Sequence, residues 1–213
     1  MTDGLSGDVQ RLVDVSAAFA TRESALLELA LTAALDSEVD PVAVEEALLQ
    51  GYLFLGYPSA LAAFGLWRRL SGREAPPPSS EAREDWVRRG EEVCQRVYGR
   101  KYESLRHNVH ALHGDLETWM IEEGYGKVLG RPGLALKSRE LCIVALLAVL
   151  EAPTQLYSHL RGALNVGATP AQVEEALARA VRYCGPTGTQ RAEDTWWQVW
   201  KRWEGGRGAG QES

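Results

Sequence analysis

The chain has 213 residues and a mass of 23.4 kDa, is 45% hydrophobic and 24% charged, and carries a net charge of −6 with a pI near 5.3. That length allows one large domain or two small ones and buries a core without staples. An acidic chain with no basic block is a poor nucleic-acid binder, no apolar run is expected to reach the roughly 18 residues of a membrane helix, and the Met1-Thr2-Asp3-Gly4 start lacks the basic and apolar regions of a signal peptide.

Helical periodicity runs along the whole chain and no alternating strand stands out, which predicts an all-α fold of about ten helices. The first part predicts helices over 8–20, 24–35, 41–55 and 58–71. Asp40 before Pro41 is a cap followed by Pro at the first helical position. Residues 73–80, around Pro76-Pro77-Pro78, form a stiff exposed linker. Helices are then expected over 81–98, 101–123, 138–150, 153–166, 170–183 and 188–203. Gly167 stops one of them in a left-handed conformation, and Thr169-Pro170-Ala171-Gln172 starts the next with a capping box. The tail over 205–213 is expected to be disordered.

An internal repeat organises this pattern. Asp40-Pro41-Val42-Ala43-Val44-Glu45-Glu46-Ala47-Leu48 matches Thr169-Pro170-Ala171-Gln172-Val173-Glu174-Glu175-Ala176-Leu177, residue 40 falling on 169, an offset of 129. The same offset carries Gly56 onto Gly185, Ala30 onto His159 and Arg11 onto Glu140. The expected organisation is a degenerate N-terminal helical repeat over 1–72, the linker, and a C-terminal unit over 81–204 that keeps the polar side chains.

Arg139-Glu140-Leu141, the run from Gln155-Leu156-Tyr157-Ser158-His159 through Arg161-Gly162-Ala163-Leu164-Asn165-Val166-Gly167 to Thr169-Pro170, and Tyr183-Cys184-Gly185-Pro186 resemble the carboxymuconolactone decarboxylase family. Its wider superfamily includes the alkylhydroperoxidase D-type proteins. Tyr125 to Leu134, with Gly130-Arg131-Pro132-Gly133, is similar to the family segment that precedes the motif, although this chain has Tyr125 and Leu129 where Trp is usual. The resemblance implies an all-α fold around a helical hairpin, assembled as a homo-oligomer, a trimer or hexamer.

It also implies a small-molecule substrate. In the decarboxylase reading, His159 is the proton donor, Glu140 faces it and tunes it, and Arg131 binds the substrate carboxylate, with no metal or organic cofactor required. Arg131 on its Gly/Pro turn offers a fixed fork for a carboxylate, or caps a neighbouring helix end. Arg139 and Tyr183 are further substrate-binding candidates; Arg139 is equally a surface cation or ion-pair partner. His159 either transfers protons or is a half-buried ring bonded to a neighbour.

A peroxidase of the alkylhydroperoxidase type is the alternative. That branch sets two Cys between its Glu and its His, and here those positions are Ala152 and Gln155. Cys94, Cys142 and Cys184 are too few and too widely spaced for a disulfide scaffold, which suits a cytoplasmic protein. Cys184 is the candidate thiol, or an inert half-buried one. His107, His110 and His113 could place two rings on one helix face, but lack a full ligand set and read as a solvated face. Trp196, Trp200 and Trp203 share a face expected to pack within the protein or between subunits. A non-catalytic assembly module is a further alternative.

Overall fold

The structure is a computed structural model that describes residues 4–208. Among those residues every regular element is helical. The first half holds α1 (Gly7–Thr21), α2 (Ser24–Asp36) and α3 (Pro41–Ser71). After an extended, exposed stretch come α4 (Arg83–Tyr98), α5 (Tyr102–Leu112), α6 (Gly114–Trp119) and a π-helical stretch, Met120–Leu129. The second half holds α7 (Leu136–Val149), α8 (Pro153–Asn165), α9 (Pro170–Ala180) and α10 (Pro186–Gly208).

The caps set these boundaries. The Asp40 side chain accepts from Val42 N at 2.9 Å. Thr169 and Gln172 form the expected capping box, and Gly167 takes φ 95°. A box of this kind satisfies two helix N–H groups that would otherwise be orphaned.

α7 is buried from Ser138 to Ala148; from Leu141 onward it is apolar on every side, and such a helix lies in a core. α1 is buried from Leu12 to Ala20 and packs against α7 and α9. The two halves therefore share one core rather than forming separate domains.

Helix starts recur at the offset of 129: α1 at Gly7 and α7 at Leu136, α2 at Ser24 and α8 at Pro153, α3 at Pro41 and α9 at Pro170. α3 breaks at Gly56 (φ 78°, ψ 170°), and the corresponding Gly185 separates α9 from α10. Side-chain contacts recur at the same offset. Gln10 Nε2 donates to Glu175 at 2.8 Å, and Arg139 Nη2 donates to Glu46 at 2.7 Å. Trp67 Nε1 donates to Glu45 at 3.0 Å, and Trp196 Nε1 donates to Glu174 at 3.2 Å.

Four expectations need correction. By length and composition Pro41–Ser71 is apolar enough to cross a membrane, with mean hydropathy 1.2. Gly56 divides it, however, and each part is shorter than the roughly 20 residues a span needs.

The helix expected over 101–123 stops at His113, which adopts φ −168° and accepts from Asp115 N at 3.1 Å through Nδ1. His107, His110 and His113 are thus exposed and not on one continuous helix.

The helix end expected at 123 is passed, because the π-helical stretch runs on to Leu129. Gly90 and Gly126 let two backbones meet. A Cβ on Gly90 would fall 2.1 Å from Ile121 O, and one on Gly126 would fall 2.0 Å from Trp86 O. Arg89 Nε then donates to Gly126 O at 2.7 Å.

The expected disordered tail begins too early, because α10 continues to Gly208; residues 209–213 lie outside the described residues.

Candidate active site

α7 and α8 form an antiparallel hairpin turned by Glu151 and Ala152, Glu151 taking φ 52°. Glu140 lies in the early part of α7 and His159 in the middle of α8. The hairpin brings them together: His159 Nδ1 lies 2.9 Å from Glu140 Oε2. Glu140 is fully enclosed and His159 is 6% exposed. A carboxylate oxygen accepts, so Nδ1 carries the proton of this contact and Nε2 is the ring nitrogen left outside it. Glu140 Oε1 has no hydrogen-bond partner among the described residues. Buried carboxylates are normally bonded at both oxygens, so His159 leaves this one half-satisfied.

Gly162 explains the His-x-x-Gly spacing. It sits one turn after His159, on the same face of α8. A Cβ there would fall 2.6 Å from Glu140 Oε2 and 2.7 Å from Val97 Cγ1. The missing side chain makes the room that the Glu140 carboxylate occupies. Asn165, one turn further on, donates to Val97 O at 2.8 Å and ties α8 to α4.

His159 lines a solvent-facing cavity of about 360 Å³. Leu53 and Phe54 of α3 form one wall, and the Phe54 ring meets the imidazole edge-on at 6.0 Å. Leu116 and Trp119 of α6 form the rim and are exposed. The π-helical stretch adds Met120, Glu123, Tyr125 and Leu129. π-helical turns often occur at functional sites. Tyr98 of α4 closes the cavity, its hydroxyl 3.2 Å from that of Tyr125, which donates to it. Burial raises the pKa of both phenols, Tyr125 most strongly, and the nearby Glu140 charge adds to it. Both stay protonated, and in this pair Tyr98 accepts rather than donates. Glu123 accepts a hydrogen bond from the Tyr52 hydroxyl.

The other expected residues are placed elsewhere. Arg131 does not line this cavity; its Nε donates to both oxygens of Glu46, at 3.0 and 3.2 Å. Arg139, 1% exposed, is not a surface cation: besides Glu46 it holds the turn by donating to Leu134 O at 3.1 Å and Arg131 O at 3.0 Å. Both guanidiniums are engaged in closing the 130–134 turn onto α3. Tyr183 is half-buried beside Asp14, Arg179 and Arg182, away from the cavity lining.

Burial disfavours the thiolate at all three cysteines. Burial pushes Cys94 up to about 12, with Glu140 adding to it. Burial also pushes Cys142 to about 12, against the hydrogen bond from Ser16. Burial and Glu151 raise Cys184, whose Sγ rests on Ala148 O and Ala180 O at 3.7 and 3.6 Å. Among the described residues, no group of three or more His, Cys, Asp or Glu side chains is gathered as for a metal ion.

Phe54, Tyr98 and Glu123 escaped the sequence reading. They come from three separate segments and carry no motif. Tyr125 was visible there only as a departure from the usual Trp.

The fold and the dyad together define an all-α class of protein in which a helical hairpin presents a buried Glu–His pair to an apolar cavity. The family model described as the carboxymuconolactone decarboxylase family matches residues 115–193, a span holding both Glu140 and His159. A nitrosuccinic acid decarboxylase of Metarhizium robertsii is 34% identical over 113 residues, covering 50% of this chain and 79% of that protein. A 4-carboxymuconolactone decarboxylase of Acinetobacter baylyi is 31% identical over 104 residues, covering 48% of this chain and 77% of that protein. Peroxisomal protein 2 of Schizosaccharomyces pombe is 28% identical over 155 residues, covering 69% of this chain and 71% of that protein. The chain belongs to the carboxymuconolactone decarboxylase family.

Proposed function

We propose that this protein is a decarboxylase of a small carboxylated lactone or related acid, working by proton transfer at His159. The observation that carries the reading is the His159–Glu140 pair opening onto the apolar cavity. Relatives named for decarboxylation of 4-carboxymuconolactone and of nitrosuccinic acid support it. Those two substrates share an electron-withdrawing group that can take up the charge left by carbon dioxide.

The reaction is simple to balance. The bond to the carboxylate carbon breaks, its electron pair moves into the conjugated carbonyl or nitro group, and carbon dioxide leaves. The protonated His159 then delivers its Nε2 proton to the carbanionic carbon and is reprotonated from solvent. Glu140 holds Nδ1–H, which fixes the ring and stabilises the imidazolium. Tyr98 offers an O–H to the oxygen that accumulates charge. The apolar walls from Phe54, Leu129 and Met120 strip water from the substrate and strengthen those contacts.

We propose further that the matched halves arose by duplication, that the N-terminal half stands in for a second subunit, and that the chain assembles as a trimer or hexamer.

The test is carbon dioxide release from 4-carboxymuconolactone and from nitrosuccinate, with the wild-type protein and with His159→Gln. Release from one of them that falls at least about a hundredfold in the variant is expected, since general acid–base help is worth about 10²–10⁴-fold. Equal release from the folded variant, or none from the wild type with either acid, overturns the proposal.

A further inference from the structure

Most arginines of this molecule are matched to carboxylates. Arg68 meets Glu45 at 2.7 Å, Arg106 meets Glu117 at 2.6 Å and Arg179 meets Asp14 at 2.7 Å. Among the described residues, Arg100, Lys101, Arg161 and Arg202 form no ion pair, and all four line one concavity of about 570 Å³. It lies between the turn after α4, the outer face of α8 and the last turns of α10. No carboxylate lines it, although the chain as a whole carries a net charge of −6.

The pocket is built as well as charged. Arg202 Nη1 donates to Tyr157 Oη at 2.6 Å, which fixes that guanidinium on the wall. The Asn165–Val97 bond that joins α8 to α4 fixes the width. Tyr98, Val199 and Trp203 supply apolar surface. Four cations facing one concavity repel one another, and a bound anion relieves that repulsion.

Arg161 follows His159 by two residues and so projects from the opposite side of α8. Tyr98 lines both this pocket and the His159 cavity and is the wall between them.

We propose that this pocket is a second binding site, for a small molecule carrying two or more anionic groups, phosphate or carboxylate, with its uncharged body against Tyr98 and Tyr157. A nucleic acid is a poorer fit, because the cations form one concave cluster rather than a stripe, on an acidic molecule.

The test is titration calorimetry at fixed ionic strength with inorganic pyrophosphate and with citrate. Saturable binding of one of them to the wild type is expected, pyrophosphate marking a phosphate site and citrate a carboxylate site. Arg161→Ala with Arg202→Ala should weaken it at least about tenfold. Lys127→Ala with Lys137→Ala makes the same charge change outside the pocket and should leave it within about twofold. Arg100→Ala with Lys101→Ala repeats the test should the first pair misfold. No saturable heat up to about 10 mM of either probe, equal weakening by the Lys pair, or binding confined to anionic vesicles or an acidic peptide overturns the proposal. The readout needs no turnover, so its failure is distinct from failure of the decarboxylase reading.

Discussion

Glu140 and His159 divide the work unequally. Only the imidazole borders the cavity, while the carboxylate is enclosed behind it. Removing the ring's proton removes the reaction step; removing the charge behind it only loosens and detunes the ring. Glu140→Gln should therefore slow turnover by less than His159→Gln, measured as kcat on whichever acid proves to be the substrate. The thiols give a prediction with a definite pH sign. Cys94 and Cys142 are held as neutral thiols up to about 12 in the fold, against an ordinary value of 9.0. Their folded values are raised, so the stability they contribute is complete below pH 9.0 and is lost as pH rises toward about 12. Urea unfolding should show a falling midpoint across that window. Native-state labelling at neutral pH should find these two thiols slower than Cys184 by orders of magnitude.

Among the elements, the π-helical stretch and α4 are the pair on which the cavity depends. Their backbones touch at Gly90 and Gly126, leaving no space for a Cβ. Because the obstruction is backbone rather than a flexible side-chain tip, Gly126→Ala must separate the two elements. Overpacking of this kind costs about 1–3 kcal/mol, and the expected result is a lower melting temperature together with weaker ligand binding at the His159 cavity. Thr169→Ala is the matching control. It removes a cap, costs about 1 kcal/mol, and lies outside the cavity, so it should lower the melting temperature without changing turnover.

For the whole molecule, the recurring helix starts and the recurring Trp–Glu contacts relate the two halves. Under the duplication proposal one chain presents two similar outer surfaces, and closed symmetry is the common outcome for such chains. Tyr57 and Leu61 on the second part of α3, and Trp197 on α10, are exposed and available for it. Light scattering at micromolar concentration should give a multiple of the 23.4 kDa chain mass, three or six being expected. A monomer's mass would overturn that proposal.

The sequence by itself determined the local events. Helix starts at Pro41, Pro153 and Pro170, the left-handed stop at Gly167 and the break at Gly56 follow from caps and φ preferences acting within a few residues. The Glu140–His159 pairing was also legible, because a short hairpin fixes which side chains can meet across it and the family motif names them. What only the tertiary structure decided were choices between distant partners. Arg139 could have served a substrate or a carboxylate of the protein, and Glu46, 93 residues away, takes it. The glycines at 90 and 126 carry no local motif, and form a helix contact only because α4 lies across the π-helical stretch. Tyr98, Phe54 and Glu123 meet around His159 from three segments, and Arg100, Lys101, Arg161 and Arg202 meet around Tyr157 from three others. Local propensity acts over a few bonds, whereas ion pairing and close packing are settled by which surfaces the folded chain brings within a few ångströms.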